Sequence, residues 1–168
     1  MKIAYADPPY IGQARKHYKD DAQCAEVNHH ELIRVLNDVY PDGWALSCSS
    51  PSLQQILALC PSDVRIAAWV KPFAAFKVGV NPAYAWEPVI WRGGRTKRGR
   101  SEPTVRDWIA TPITLKRGVH GAKPDAFCYW LFDLLGLQPG DILDDLYPGS
   151  RAVSRAWDRW QKQLWSVS

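Results

Sequence analysis

The sequence predicts an α/β fold in which a mostly parallel sheet is covered by helices on both faces. Short apolar runs of strand length alternate along the chain with segments whose apolar residues recur at helical spacing. This alternation is typical of parallel sheets, because a parallel strand needs a crossover, usually a helix, to reach the next one. Ligands bind such sheets beyond the carboxyl ends of the strands, so residues that follow predicted strands are the first candidates for a functional site.

The strands are predicted from apolar runs that stop at proline, glycine or charged residues. The first run must end at Asp7-Pro8-Pro9-Tyr10, since two successive prolines cannot donate to a sheet ladder. Pro88 lies inside the fourth run, which predicts that this strand is at an edge of the sheet or contains a bulge. The predicted strands are residues 2–6, 44–48, 64–70, 84–91 and 141–147, with a last short strand at 163–167.

The helices are predicted from apolar periodicity and from the residues at their ends. Leu32, Leu36 and Val39 lie near the spacing of one helix face, and Gly136 follows another periodic segment as a helix-ending residue. Residues 92–106 are basic, rich in glycine and without periodicity, which predicts a mobile surface loop. The predicted helices are residues 25–40, 50–59, 124–135 and 151–162.

Composition and charge limit the classes of protein to which the chain can belong. Its 168 residues are 46% hydrophobic and 23% charged, which is typical of one soluble domain. No stretch is long and apolar enough to span a membrane and residues 1–10 do not form a signal peptide, so we expect a cytoplasmic protein. Four scattered cysteines without a CxxC pair predict no metal site. The net charge of +4 permits a polyanionic partner without requiring one.

The first strand end has the residues needed to hold an exocyclic amino group. The prolines fix φ and carry no N–H, so the Pro8 carbonyl is rigid and has no competing local donor. This carbonyl and the Asp7 carboxylate are two acceptors for the two amino hydrogens, an arrangement that favours a pyramidal nitrogen with a free lone pair. The Tyr10 ring offers a face on which a flipped base can stack. A strand-ending turn with a capping aspartate explains the same residues without a ligand.

The second strand end, residues 145–150, joins a predicted strand to a predicted helix. Its small residues suit a backbone that approaches a ligand, and the following helix N-terminus attracts anionic groups. Asp145 suits an amine or a ribose hydroxyl, and Lys123, before the preceding helix, suits a carboxylate. Pro-Gly-Ser is also ordinary turn chemistry.

Together these segments resemble the amino-group methyltransferases that use S-adenosyl-L-methionine (AdoMet). Residues 7–10 (Asp-Pro-Pro-Tyr) are similar to their motif IV in the form typical of adenine N6 enzymes. Residues 145–150 are similar to the AdoMet-binding motif I, usually Asp-x-Phe-x-Gly-Ser-Gly, and residues 120–124 (His-Gly-Ala-Lys-Pro) to the element before it. The catalytic motif comes first, which is the permuted order of β-class DNA methyltransferases and of messenger-RNA adenosine N6 methyltransferases. Residues 69–72 and 86–88 also match comparable segments, so the resemblance spans nearly the whole chain.

The resemblance implies a Rossmann-like AdoMet-dependent methyltransferase fold. We expect one domain over residues 1–168, and the lack of a separate target-recognition domain is a departure from the family. The implied activity is transfer of a methyl group to the N6 amino group of adenine in DNA, with RNA the less expected substrate. Lys123 would contact the AdoMet carboxylate, and Asp145 the polar groups of its amino acid or ribose. The implied catalytic residues are Asp7, Pro8, Pro9 and Tyr10. The implied AdoMet-binding residues are Asp7, Lys123, Pro124, Asp145, Tyr147, Gly149, Ser150 and Arg151.

The sequence departs from the family pattern at the end of motif I. Arg151 occupies the position of the third glycine, and the usual next strand with its ribose-binding acidic residue is missing or vestigial. Three alternatives stay open: a cytosine N4 enzyme, an RNA adenine N6 enzyme, and a non-catalytic nucleic-acid-binding subunit that needs a partner. For the assembly of the protein, a homodimer also stays open. A small permuted enzyme of this kind would suit a phage or bacterial genome.

Nucleic acid is expected to contact the basic residues of the predicted loop 92–106. Basic side chains neutralise phosphates and add affinity that depends on salt but not on base sequence. A solvated surface loop explains the same composition, but the neighbouring base-methylating motifs favour the binding role. The candidates are Arg92, Arg95, Lys97, Arg98 and Arg100.

Overall fold

The computed structural model describes residues 1–11, 27–73, 78–97, 99–100, 102, 104–114 and 122–165. Within these residues, six strands form one sheet and four helices pack against it. The strands are β1 (Lys2–Ala6), β2 (Gly43–Ser47), β3 (Arg65–Val70), β4 (Trp86–Gly93), β5 (Trp108–Ala110) and β6 (Ile142–Asp145). The helices are α1 (His29–Val39), α2 (Leu53–Leu57), α3 (Asp125–Leu135) and α4 (Ala152–Trp165), with a 3₁₀ turn at Ser50–Ser52 before α2.

The strand order in the sheet is β5-β3-β4-β2-β1-β6. β1 runs parallel to its neighbours β2 and β6, and β3 runs parallel to β5. β4 is antiparallel to both of its neighbours, β2 and β3. The sheet is therefore mixed but mostly parallel, and the predicted α/β fold class is confirmed.

Helices cover both faces of the sheet, because successive side chains of a strand point to opposite faces. Ile3 of β1 belongs to the core between the sheet and helices α3 and α4, where Phe127 is also fully buried. The next residue, Ala4, belongs to the core on the other face, together with Leu36 of α1 and Ile56 of α2. β1 is thus buried on both faces of the sheet, and its carboxyl end lies between the two layers of helices.

Local sequence explains the ends of the helices that position the site. The side chain of Asn28 accepts a hydrogen bond from the backbone N–H of Glu31 at 3.2 Å and caps α1. Pro124 is the N-cap of α3, and its carbonyl accepts the first helical hydrogen bond. Gly136 ends α3 with a φ of 64°, a left-handed conformation that glycine adopts without strain.

Pro88 does not mark a sheet edge, because β4 lies between β3 and β2. The backbone N–H of Cys48 donates to the carbonyl of Pro88 at 3.1 Å, so the Pro88 nitrogen faces the same side. β2 ends at Ser47, one residue before Cys48. The N–H that proline lacks would therefore point to the end of the β2 ladder, which is why a proline is tolerated in a central strand.

The prediction of a last strand at 163–167 is wrong, because α4 continues to Trp165. No glycine or proline separates 162 from 163, and nothing else in the sequence stops the helix there. Residues 166–168 lie outside the described residues, as do 25–26 of the predicted first helix. β5 was not predicted, since three residues are too few for a periodic signal. Among the described residues, no helix is long and apolar enough to cross a membrane.

Candidate functional site at the carboxyl edge of the sheet

The two strand ends that the sequence singles out lie side by side at the carboxyl edge of the sheet. β1 and β6 are parallel neighbours in which Tyr5 is paired with Asp145. The backbone N–H of Leu146 donates to the carbonyl of Tyr5 at 2.9 Å, so the two strands stay in contact where they end. Residues 7–10 and 145–150 therefore leave the sheet from adjacent strands, as ligand-binding segments do in open α/β sheets.

Four charged side chains from four segments meet just beyond the carboxyl end of β1. Lys123 is only 6% exposed; it donates a hydrogen bond to Glu87, and its Nζ lies 3.1 Å from Oδ1 of Asp7. Lys71 donates a second hydrogen bond to Glu87 at 2.9 Å. Two ammonium groups thus face two carboxylates and their formal charges balance. We refer to Asp7, Lys71, Glu87 and Lys123 as the charged cluster.

The topology explains why these four residues meet. Asp7 follows β1 and Lys71 follows β3, so both leave the sheet at its carboxyl edge. Glu87 is the second residue of β4, whose antiparallel direction brings its amino end to the same edge. Lys123 comes immediately before the N-cap of α3. A buried charge is costly unless it is paired, so each member of the cluster depends on the others.

The surroundings set different protonation behaviour for the members of the cluster. Burial raises the pKa of Asp7 to about 6; Lys123 opposes this rise, and the negative charge of Glu87 adds to it. Burial also acts to raise the pKa of Glu87, but Lys123 and Lys71 outweigh it and lower that pKa to about 2. Burial alone would lower the pKa of Lys123, yet the two carboxylates raise it above its usual range. Lys123 and Glu87 are therefore ionised at neutral pH, while Asp7 titrates near pH 6.

Tyr10 is attached to the charged cluster through its hydroxyl group. Burial raises the pKa of Tyr10 well above its ordinary value, and the nearby carboxylates of Glu87 and Asp7 raise it further. The phenol is therefore neutral, and it donates a hydrogen bond to the Glu87 carboxylate. The same carboxylate thus holds Lys123, Lys71 and the hydroxyl end of Tyr10.

Asp145 organises the loop that follows β6. Its carboxylate accepts a hydrogen bond from Ser154 Oγ at 2.9 Å and further bonds from the backbone N–H groups of Ser154 and Tyr147. Ser154 belongs to the first turn of α4, so the carboxylate satisfies a free N–H of the helix end. Burial raises the pKa of Asp145, and these hydrogen bonds oppose the rise. The predicted AdoMet-binding residues Asp145 and Tyr147 are therefore joined in one hydrogen-bonded loop.

Gly149 and Arg151 give this loop its backbone shape. Gly149 has a φ of 40°, and a Cβ there would meet only the carbonyl oxygen of Tyr147 at 3.9 Å, so its backbone faces open space. Arg151 has a φ of 57°, and its N–H donates to the carbonyl of Pro148 at 2.5 Å. Its exposed side chain leaves the loop on the solvent side. Ser150 between them is half-buried, and Pro124 stays beside Lys123 as the N-cap of α3.

The structure does not bring the basic residues that it describes to the same edge. Arg92 lies five residues after Glu87 along β4, which is about 17 Å at 3.4 Å per residue, and it pairs with Asp63 at 2.8 Å. Arg95 pairs with Asp141 at 2.6 Å. Both guanidinium groups are thus held in ion pairs near the amino ends of the parallel strands. Lys97 and Arg100 are exposed in the same region; Arg98 lies outside the described residues, as do 120 and 121 of the predicted cofactor element.

Part of this basic region lines an open groove of about 460 Å³. Arg65, Arg95 and Arg100 line it together with Trp91, and the carboxylates of Glu102 and Asp107 are also in its wall. The guanidinium of Arg65 lies 4.9 Å from the centroid of the Trp91 ring and pairs with Asp107 at 3.7 Å. The groove is a feature of the amino edge of the sheet, separate from the charged cluster.

The sequence analysis did not select Glu87 and Lys71 as site residues. Both lie in segments covered by the resemblance described in the sequence analysis, but that resemblance implies no role for either. A detectable signal exists for Glu87: it is a lone carboxylate inside an otherwise apolar strand run, and a buried carboxylate needs a partner. The partner itself comes from the start of α3, far away in the chain, and no local pattern indicates it.

The chain is a mixed α/β protein in which a charged cluster lies beside two adjacent strand ends, and its fold is shared with the solved structures of M1.HpyAVI. It is similar to the crystal structure of the M1.HpyAVI–SAM complex, with a TM-score of 0.63 and 17% identity over 95% of this chain and 78% of that chain. It is also similar to the crystal structure of M1.HpyAVI, with a TM-score of 0.59 and 17% identity over 95% of this chain and 76% of that chain. No protein-family model and no curated protein sequence matches the chain. At 17% identity, the likeness establishes the shared fold.

Proposed function

We propose that the chain is an AdoMet-dependent methyltransferase that methylates the N6 amino group of adenine in DNA. The observation that carries the proposal is the adjacency of Asp7-Pro8-Pro9-Tyr10 and the loop 145–150, joined by the contact between Leu146 and Tyr5. Transfer needs an acceptor base and a methyl donor within reach of each other, and these are the two segments with the matching residues. The likeness to M1.HpyAVI, which was crystallised with SAM (AdoMet), supports the same cofactor here.

The loop after β6 has features that fit AdoMet. The open space in front of Gly149 allows a ligand to approach the backbone closely, and the loop is held in shape by Asp145. Two N–H groups of the Lys123 ammonium are directed to Asp7 and Glu87, and the third would donate to a carboxylate of the cofactor. When bound, AdoMet supplies a sulfonium methyl group, and the carbon–sulfur bond breaks as the new carbon–nitrogen bond forms.

Asp7 and Tyr10 would present the adenine amino group for transfer. The Asp7 carboxylate and the Pro8 carbonyl accept the two amino hydrogens, and Lys123 holds the carboxylate in place. Tyr10 stacks on the base while its hydroxyl stays bonded to Glu87. The nitrogen must lose one proton after it gains the methyl group. Asp7 is suited to take that proton, because its pKa of about 6 makes it a base near neutral pH and its half-buried side chain can pass the proton to water.

The test is transfer of a labelled methyl group from AdoMet to single-stranded DNA, double-stranded DNA and RNA, followed by nucleoside analysis. We expect label on adenine N6 in DNA, and no label with Asp7→Ala. Asp38→Ala is a matched control, since Asp38 is an exposed carboxylate on α1, paired only with Arg34 in the described residues. Full activity of Asp7→Ala would refute the assignment. Label on cytosine or in RNA alone would identify one of the alternative substrates.

A non-catalytic nucleic-acid-binding subunit is the second candidate. The observation that favours it is Arg151, a non-glycine residue at a φ of 57° where the family has glycine. AdoMet separates the two candidates, because a ligand that binds only the folded state raises the melting temperature. A rise on adding AdoMet supports the enzyme. No rise, together with retained DNA binding, supports the subunit.

A further inference from the structure

One region of the sheet is open to solvent on the face that α1 and α2 cover elsewhere. Helices bury this face at Leu46 of β2 and Ile90 of β4, both fully buried. Towards the β5 edge of the sheet, the helices no longer cover this face. Trp86 of β4 is 40% exposed there, and Trp108 of β5 is 45% exposed. Val70 of β3 is also exposed. Large exposed apolar side chains that lie together indicate an interaction surface more often than isolated ones do.

Strand pairing puts these side chains on one face. Trp86 is opposite Val70, and Trp108 is opposite Ala68. Ala68 and Val70 are two residues apart in β3 and therefore point the same way. The two tryptophans lie on either side of β3, and strand spacing and rise place their Cα atoms about 12 Å apart. We refer to Ala68, Val70, Trp86 and Trp108 as the indole face.

The chemistry of the indole face suits nucleobases. A sheet that exposes aromatic rings on neighbouring strands is the device by which RNA-recognition modules stack bases, and ring stacking tolerates any base. The guanidinium of Arg106 lies 5.6 Å from the centroid of the Trp108 ring and adds a cation beside it. No member of the face has a carboxylate that would repel a phosphate backbone. Bases in a duplex have their faces covered by their neighbours, so only unpaired bases can use such rings.

The indole face is continuous with the proposed catalytic site. Trp86 directly precedes Glu87, whose carboxylate holds Lys123 and the hydroxyl of Tyr10. The Trp86–Val70 pair is the last pair of β3 and β4 at the carboxyl edge. A strand whose target base is held at Tyr10 can therefore pass over this edge onto the exposed rings.

We propose that the indole face binds unpaired bases of a single-stranded nucleic acid next to the base held at Tyr10. This inference rests on the proposed function and narrows its substrate to single-stranded nucleic acid or to locally opened duplex. It also assigns the main contact with nucleic acid to the exposed tryptophan rings near the site. The basic residues at the opposite edge of the sheet would then not be the main contact. A second copy of the chain is the other occupant that an exposed apolar face suits.

The test is fluorescence anisotropy with a labelled 15-nucleotide single strand containing a central adenine, and with the same sequence as a duplex. We expect tighter binding of the single strand. Trp86→Ala and Trp108→Ala should each weaken it by roughly 5- to 150-fold, the equivalent of one stacked base. Trp108→Phe should retain most of the affinity, because a ring remains. Ile142→Ala is the matched control: Ile142 is 55% exposed but lies on β6, at the far edge of the sheet.

Thermal unfolding and sedimentation of each variant complete the test. Parent-like affinity of both folded alanine variants would overturn the proposal. So would a parent dimer that Trp108→Ala converts to monomers without loss of single-strand affinity, which would assign the face to a second copy. Binding and methyl transfer are measured separately. Methyl transfer with binding that does not depend on the rings would support the proposed enzyme and overturn the role of the indole face. Ring-dependent binding without transfer to any polymer would support the indole face and contradict the proposed enzyme.

Discussion

Replacing Lys123 with methionine tests whether the charged cluster holds the site together. The substitution removes the cation that faces both Asp7 and Glu87, and methionine fills the buried space with a chain of similar length. Glu87 keeps Lys71 at 2.9 Å, whereas Asp7 loses its partner. Removing one partner of a buried ion pair costs about 3–5 kcal/mol. We therefore expect the free energy of unfolding, measured by urea titration at pH 7, to fall by about 3–5 kcal/mol.

Lys71→Met is the matched control, because it removes a cation from the same carboxylate. Lys71 is more exposed than Lys123, and Glu87 keeps its bond to Lys123. The expected cost is therefore only about 1 kcal/mol. Lys123→Met combined with Glu87→Gln should cost less than the two single changes together, by roughly 0.5–3 kcal/mol. A Lys123→Met cost below that of Lys71→Met, or single costs that simply add, would refute the reasoning.

Three further outcomes follow from the same geometry. Because the pKa of Asp7 is raised to about 6, kcat/KM for methyl transfer should fall about tenfold per pH unit below 6. Between about pH 6 and pH 4, the folded state binds a proton at Asp7 that the unfolded state does not. The contribution of this carboxyl group to the free energy of unfolding therefore rises as pH falls through this range. In urea titrations at several pH values, Asp7→Asn should lose this pH dependence. Tyr10→Phe removes one donor to Glu87 but keeps the ring, so stability should fall by about 1 kcal/mol while the KM for DNA changes little; Tyr10→Ala should raise that KM. Arg151→Gly should raise the free energy of unfolding by about 0.5–1 kcal/mol, because relief of the strain at a φ of 57°, about 1–2 kcal/mol, exceeds the entropic cost of a glycine, about 0.5–1 kcal/mol. Arg151→Ala keeps the strain and should not stabilise the protein.

The sequence contains enough information for the fold class but not for the strand order. β1 is found at Lys2–Ala6, as predicted, because the run is apolar and two prolines stop it. The place of β4 between β2 and β3 could not be predicted, since an apolar run has no mark of its direction or neighbours. For the same reason, the prediction from Pro88 that this strand lies at an edge of the sheet was wrong. A proline excludes a ladder bond at one position, and the end of β2 supplies such a position in the centre of the sheet as well as an edge would.

Charge patterns in the sequence do not show which charged side chains are paired in the fold. Arg92 and Arg95 form part of a basic run, but their partners Asp63 and Asp141 come from distant segments. A linear pattern does not show ion pairs between remote positions, so two of the five basic side chains in this run have partners that the sequence does not indicate. Exposed tryptophans are equally hidden, because a sequence rich in tryptophan does not tell which rings the helices leave uncovered.

Lys123 has two interpretations that AdoMet binding can separate. The resemblance implies a contact with the AdoMet carboxylate, whereas the structure surrounds the ammonium with Asp7 and Glu87. Lys123 lies 3.1 Å from Oδ1 of Asp7, and this pairing restricts the rotation of the carboxylate. Under the proposed function, Oδ2 would be the atom that accepts an amino hydrogen. It also opposes the effect of burial on the Asp7 pKa, and so keeps the carboxylate ionised. A residue that only positions Asp7 should affect kcat and leave the Kd for AdoMet unchanged in folded Lys123→Met, measured by calorimetry. A weakened Kd would show instead that the third N–H of Lys123 binds the cofactor.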